Sequence, residues 1–263
     1  MIDLHTHILP GVDDGVETME QAVEFARVAI ADGIRVIVAT PHCKDGFYVN
    51  DRAKVLPAVE ALRKRLAEEA LEVDVQPGAE VHLCPDLVQR IEDGRALTLA
   101  DNGKTVLLEL SLTQYPVELE NLVFQLKLAG LEVLFAHPER IRYFQDDARR
   151  YESVIRLGAY GQITTGSVLG VFGSEAMRFS EELLRKDLVH VLASDAHNLR
   201  GRPPILSEAL TAMEPLVGQR RALSMATSIP EAMLAGREPV IPPVEDRASR
   251  RTSFLGRLFR RSL

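Results

Sequence analysis

The residues of this chain with the clearest chemical potential are histidines and carboxylates: His5 and His7 in DLHTH, His42, Glu80, Glu109, His137, and Asp195 with His197 in SDAH. Neutral imidazoles and carboxylates are ligands for zinc, manganese or iron, and a carboxylate can bridge two ions roughly 3.5–4 Å apart. Water held between such ions ionises near neutral pH, so the chemistry expected is hydrolysis by a metal-bound hydroxide. An HxH pair alone is a weak signal, because a period of two on a strand also alternates packed and solvated side chains. The weight lies in coincidence, since five of the seven histidines and three carboxylates fall where apolar runs end. In the loop PGVDDGVET, Asp13 and Asp14 could cap the helix expected from Thr18 or add a ligand, and Asp14 is assigned as the ligand. His82 and His190 are read as structural.

Other nucleophiles have little support. The chain has no GxSxG elbow, no GxxxxGK[ST] loop and no GxGxxG after a strand. Cys84 to Arg90 has the CX5R spacing of thiol phosphatases, but Pro85 lacks the N–H that a phosphate cradle requires and Asp86 would repel the anion.

The elements that must position these residues alternate along the chain. Strand-like runs IDLH, RVIVAT, VDVQPGAE, TVLLEL, EVLFAH, AYGQIT and VHVLAS are separated by helical periodicity at 18–32, 51–71, 85–93, 117–129, 146–157 and 174–186, with further helices over 205–236. Strands apolar on both faces and joined by crossovers imply a parallel (β/α) barrel or a doubly wound sheet. In either arrangement the carboxyl ends share one rim, which is where the candidate ligands lie.

Composition bounds the rest. With 263 residues and 46% hydrophobic content, one domain can bury a full core. No apolar run reaches the roughly 18 residues of a membrane helix and the start, MIDLHTH, is no signal segment, so a cytoplasmic location is expected. Two cysteines, Cys43 and Cys84, suggest free thiols. A net charge of −7 argues against nucleic acid as a partner. The barrel domain is expected to span 1–240, followed by a proline-containing exit and an arginine-rich tail over 241–263. Residues 247–263 mix arginines with Phe254, Leu255, Leu258 and Phe259, a pattern suited to peripheral membrane or acidic-partner contact, or to a solvated end.

The segments Asp3–Gly15 (DLHTHILPGVDDG), Ala39–His42 (ATPH), Gly78–Glu80 (GAE), Leu108–Leu110 (LEL), Ala136–Arg140 (AHPER) and Ala193–Asn198 (ASDAHN) together resemble the PHP (polymerase and histidinol phosphatase) superfamily. They are most similar to the bacterial PHP-type protein-tyrosine phosphatases of capsule and exopolysaccharide operons. The resemblance implies a distorted (β/α)7 TIM-like barrel and two to three divalent metal ions, commonly manganese. The implied ligands are His5, His7, Asp14, His42, Glu80, Glu109, His137, Asp195 and His197, with Arg140 and Arg202 binding phosphate. It further implies a phosphotyrosine protein as substrate, such as a bacterial tyrosine kinase. A small-molecule phosphatase of the histidinol-phosphate type and a non-catalytic metal-binding module are the alternatives. The chain departs from the family where GQEIR appears as Gly78-Ala-Glu-Val-His82 and an Asn-Pro pair as Ile229-Pro230, which puts substrate preference in doubt.

Overall fold

The computed structural model describes residues 1–244; the membrane or partner contact expected of 247–263 lies outside them. Nine parallel strand segments form the centre: β1 (Ile2–Thr6), β2 (Val36–Ala39), β3 (His42–Cys43), β4 (Asp74–Pro77), β5 (Glu80–His82), β6 (Thr105–Glu109), β7 (Glu132–Ala136), β8 (Tyr160–Thr164) and β9 (Val191–Ala193). They pair in the orders β1-β2-β4 and β3-β5-β6-β7-β8-β9.

These nine segments correspond to the seven runs read from the sequence, two of which are interrupted. RVIVAT pairs as β2 and the chain pairs again as β3 only after Pro41, while VDVQPGAE is divided into β4 and β5 at Pro77-Gly78. Proline cannot donate to a ladder, and Gly78 lies where a Cβ would come within 3.0 Å of Val38 Cγ1. The interruption lets each chain bend inwards, so the two ladders are continuous through the backbone.

The last strand then meets the first. At the carboxyl end, Thr6 bridges Ala196 in parallel, Asp195 N–H donates to His5 O at 2.9 Å and His7 N–H to Ala196 O at 2.9 Å. At the opposite end the residues Met225–Ala226 are wedged between the two strands. Leu192 N–H donates to Met225 O at 3.0 Å and Ile2 N–H to Ala226 O at 2.8 Å. The result is the expected seven-stranded (β/α) ring, distorted by an insertion at one seam.

Helices shield the outside. Met19–Ala31 begins with a capping box between Thr18 and Gln21, so neither Asp13 nor Asp14 is its cap, and it buries Ala22, Val23, Phe25, Ala26 and Ala29 against the ring. Helices Arg52–Glu68, Leu119–Leu128, Ala148–Arg156, Ser174–Arg185 and Ser207–Val217 act similarly. The chain remains attached to the domain past residue 240: Pro242 is buried, and Ile241 and Val244 pack on the core. Among the described residues no helix is long and apolar enough to cross a membrane.

Candidate metal centre

The strand ends bring the polar residues to one buried place. His5 Nε2 and His7 Nε2 lie 3.2 Å apart. Glu80 Oε2 is 3.3 Å from the first and 3.6 Å from the second, and Asp195 Oδ1 is 3.3 and 3.4 Å from them. His137 Nε2 approaches Glu80 Oε1 at 2.8 Å, and His42 Nδ1 approaches Glu80 Oε2 at 2.8 Å. Further out, Asp14 Oδ1 lies 3.4 Å from His42 Nε2 and 3.5 Å from His197 Nε2, and Glu109 Oε2 lies 3.9 Å from His42 Nδ1. Three groups therefore each offer converging ligand atoms: His7, Asp14, His42 and His197; His5, His7 and Glu80; His42, Glu80 and Glu109.

Outward-facing hydrogen bonds decide which ring nitrogens face inwards. His5 Nδ1 lies 3.0 Å from Gln162 Oε1, His7 Nδ1 2.7 Å from Asp13 Oδ2, and His197 Nδ1 3.0 Å from the carbonyl of Asp195. Each of these oxygens accepts a hydrogen bond, so the N–H points away from the centre and the Nε2 lone pair points in. Lone pairs and carboxylate oxygens packed a little over 3 Å apart repel unless a cation sits among them, and such edges suit ligands at about 2.0–2.2 Å from a divalent ion. Glu80 Oε2 and His42 Nδ1 carry the same signature, being buried and close yet without a hydrogen-bond partner. The residues present fit a divalent metal.

The electrostatics agree. Burial opposes charge on His7, but the neighbouring carboxylates of Asp13, Asp195 and Glu80 prevail and its pKa is pushed up to about 10. Burial likewise opposes ionisation of Glu80 and Asp195, and the surrounding histidines, with Arg202 beside Asp195, hold both carboxyls well below their usual range. A field that holds a proton so firmly also attracts a metal ion, and only the ion can serve several of these atoms at once.

Local backbone geometry aims the side chains. His137 (φ 36) and Asp195 (φ 53) both occupy the left-handed region, a strain of about 1–3 kcal/mol each that persists only where the surroundings over-determine it. The two neighbouring aspartates have separate tasks. Asp13 has a fully buried side chain that accepts from His7, from His42 N–H at 3.0 Å and from Gly15 N–H at 3.0 Å, whereas the Asp14 side chain is 51% exposed and faces His42 and His197. Sequence reasoning missed Asp13 as an orienting group, because adjacency hides the alternation of direction. It also missed Gln162, whose signal is a polar side chain inside an otherwise apolar strand. His82, read as structural, touches the centre's edge, with Nδ1 3.2 Å from Glu109 Oε2. His190 is remote, accepting at Nδ1 from Gly161 N–H.

The two candidate arginines meet at Asp195. Arg140 Nη1 donates to Asp195 Oδ2 at 2.8 Å, and Arg202 donates to the same oxygen. Asp195 thus directs one oxygen at the histidines and the other at two guanidiniums. Beside the centre an open cleft of about 530 Å³ is walled by Asp14, His197, Glu17, Gln21, Leu199 and Arg200.

The CX5R segment has no such geometry. Burial pushes the Cys84 thiol up to about 11, and Arg90 is occupied by Asp45 at 2.6 Å and Asp86 at 2.8 Å. Cys43 is buried against the carbonyl of Arg95.

Comparison with known proteins agrees with this geometry. The tyrosine-protein phosphatase YwqE of Bacillus subtilis (strain 168) is 39% identical over 214 residues, covering 81% of this chain and 84% of that protein. The tyrosine-protein phosphatase CpsB of Streptococcus pneumoniae is 28% identical over 239 residues, covering 89% and 98%. Crystal structures of YwqE from Bacillus subtilis and CpsB from Streptococcus pneumoniae describe them as unique metal-dependent tyrosine phosphatases. A chain from that work superposes with a TM-score of 0.87 at 36% identity, over 94% of this chain and all of that one. Residues 1–235 match the model of the family described as capsular polysaccharide synthesis, CpsB/CapC, and the chain belongs to that family.

Proposed function

We propose that this chain is a metal-dependent protein-tyrosine phosphatase that acts in capsule or exopolysaccharide regulation, with a bacterial tyrosine kinase as its phosphorylated partner. The observation that carries the reading is the convergence of inward Nε2 lone pairs from His5 and His7 on Glu80 and Asp195, beside a pair of guanidiniums. His5, His7, Asp14, His42, Glu80, Glu109, His137, Asp195 and His197 would hold two to three divalent ions, manganese for preference given the oxygen and imidazole donors. Bound ions would polarise the phosphoryl group and acidify a water. Arg140 and Arg202 bind the phosphoryl oxygens that face away from the ligand cluster, as planar forks suited to that geometry. The named relatives support tyrosine phosphate as the substrate.

The test combines elemental analysis with turnover. Manganese-reconstituted protein is expected to carry two or three ions per chain and to hydrolyse phosphotyrosine peptides with kcat/KM well above that for histidinol phosphate. Cys84→Ser should stay within a few-fold of wild type. His42→Ala should lose orders of magnitude while keeping its circular dichroism spectrum, because each 1.36 kcal/mol of lost stabilisation is about tenfold in rate. Less than one ion per chain, or abolition of activity by Cys84→Ser in a folded, metal-loaded protein, overturns the reading.

A further inference from the structure

Between the helix Thr165–Val168 and the helix Ser174–Arg185, the loop Leu169-Gly-Val-Phe-Gly173 carries an aromatic ring to the two candidate phosphate arginines. The Phe172 ring centroid is 4.4 Å from Arg140 Cζ and 5.5 Å from Arg202 Cζ. Both guanidiniums also share Asp195 Oδ2, so a single carboxylate oxygen and a single aromatic ring hold two like charges together. Cation–π attraction of this kind is strongest where water is restricted, and Phe172 is itself half-buried.

The ring's position is fixed by its surroundings. Gly166 lies beneath it, and a Cβ there would come within 2.6 Å of Phe172 Cε2. Val171 N–H donates to Gly166 O at 2.8 Å and Gly173 N–H to Gly170 O at 3.1 Å, which closes the loop into tight turns. The turn that carries Arg140 is tied to the same loop, because buried Glu139 Oε1 accepts from Thr164 N–H at 3.0 Å and from its hydroxyl at 2.7 Å. Thr164 in turn caps the helix Thr165–Val168. Arg202 Nε is buried without a hydrogen-bond partner, so one donor of this guanidinium is unspent.

From this arrangement we infer that Phe172 is a positioning residue for phosphoryl binding: its ring holds the Arg140 and Arg202 forks in the geometry that receives the phosphate oxygens. Phe172 is outside the ligand cluster, so its loss acts on binding and leaves the ions in place. The inference rests on the phosphatase reading for its substrate, but inorganic phosphate as a probe tests it separately.

The experiment uses the manganese-loaded full chain and the variants Phe172→Leu, Phe172→Tyr and Gly166→Ala. Phe172→Leu keeps bulk and removes the π face, and is expected to raise KM for a phosphotyrosine peptide and the calorimetric Kd for inorganic phosphate about tenfold, with kcat within about threefold. Phe172→Tyr should restore both constants. Gly166→Ala, which displaces the ring without altering it, should reproduce the Leu phenotype and decides the matter if Phe172→Leu folds poorly. Metal content should equal wild type throughout. Unchanged KM and Kd in both Phe172→Leu and Gly166→Ala, or a loss confined to kcat, overturns the inference. A wild type that ignores phosphotyrosine while phosphate binding still weakens in Phe172→Leu would defeat the phosphatase reading and leave the role of Phe172 standing.

Discussion

At the scale of single residues, Asp13 and Asp14 show how one peptide step separates orientation from ligation. Asp13 accepts from the outward nitrogen of His7, which fixes the tautomer and enriches the lone pair aimed at the centre. Asp13→Asn preserves shape but removes the charge, and losses of such partners commonly cost about 10–100-fold in metal affinity or activity. Manganese titration of Asp13→Asn should therefore show weakening of that size with the fold intact; wild-type affinity would mean that His7 is oriented by packing alone. The candidate ligands other than the loop residue Asp14 were legible in the sequence because each lies where an apolar run ends, and a parallel fold gives those positions a common destination. The orienting shell was not: nothing in DDG tells which aspartate turns inwards, and Gln162 is separated from His5 by most of the chain.

At the scale of elements, the alternation of runs predicts parallel strands joined by helical crossovers, and the family resemblance implies their closure into a ring, while the breaks in the second and third strands depend on contacts made across the sheet. Pro41 and Pro77 mark those breaks once their neighbours are known. The loop between β1 and the helix Met19–Ala31 is similarly constrained. A Cβ on Gly15 would lie 2.1 Å from His7 O, so the loop carrying both aspartates is pressed directly on the end of β1. Gly15→Ala must push the loop outwards, at a cost of roughly 1–3 kcal/mol for overpacking, and should lower both the melting temperature and manganese content. Gly46→Ala is the contrast: it carries only the cost of a positive φ, 75°, a cost absent at Gly15, with nothing within 4 Å of the added methyl. Equal behaviour of the two variants would show that the loop yields freely.

At the scale of the whole molecule, pH acts on stability through a histidine far from the metal centre. Burial, with the charge of Arg221 adding to it, drives the pKa of His190 down to about 3 from an ordinary value of 6.5. The unfolded chain therefore binds the extra proton between about pH 3 and 6.5, so this contribution is fully present above 6.5 and is lost as pH falls through that window. Its upper bound is about 5 kcal/mol, at 1.36 kcal/mol per pKa unit. Buried Asp3, raised to about 6, works in the opposite sense, so the difference between wild type and His190→Gln is the clean measure. Urea unfolding at pH 7 and pH 5 should show wild type losing more stability than the variant; parallel losses would mean that His190 accepts a proton in the folded state.

The seam at Met225–Ala226 governs how the chain can be made. The Ile2 N–H finds its acceptor far along the chain, on Ala226, and Leu192 depends on the adjacent carbonyl. Contacts so distant in sequence form late and slowly, because the intervening chain must be ordered before they are rewarded. Throughout synthesis β1 thus has an unfilled side, open to pairing with another nascent chain. The segment around Met225–Ala226 acts as a clasp at the end of the ring opposite the metal centre: a chain halted short of it has every candidate metal ligand in its sequence, yet the N–H groups of Ile2 and Leu192 lack their acceptors and the seam there stays open.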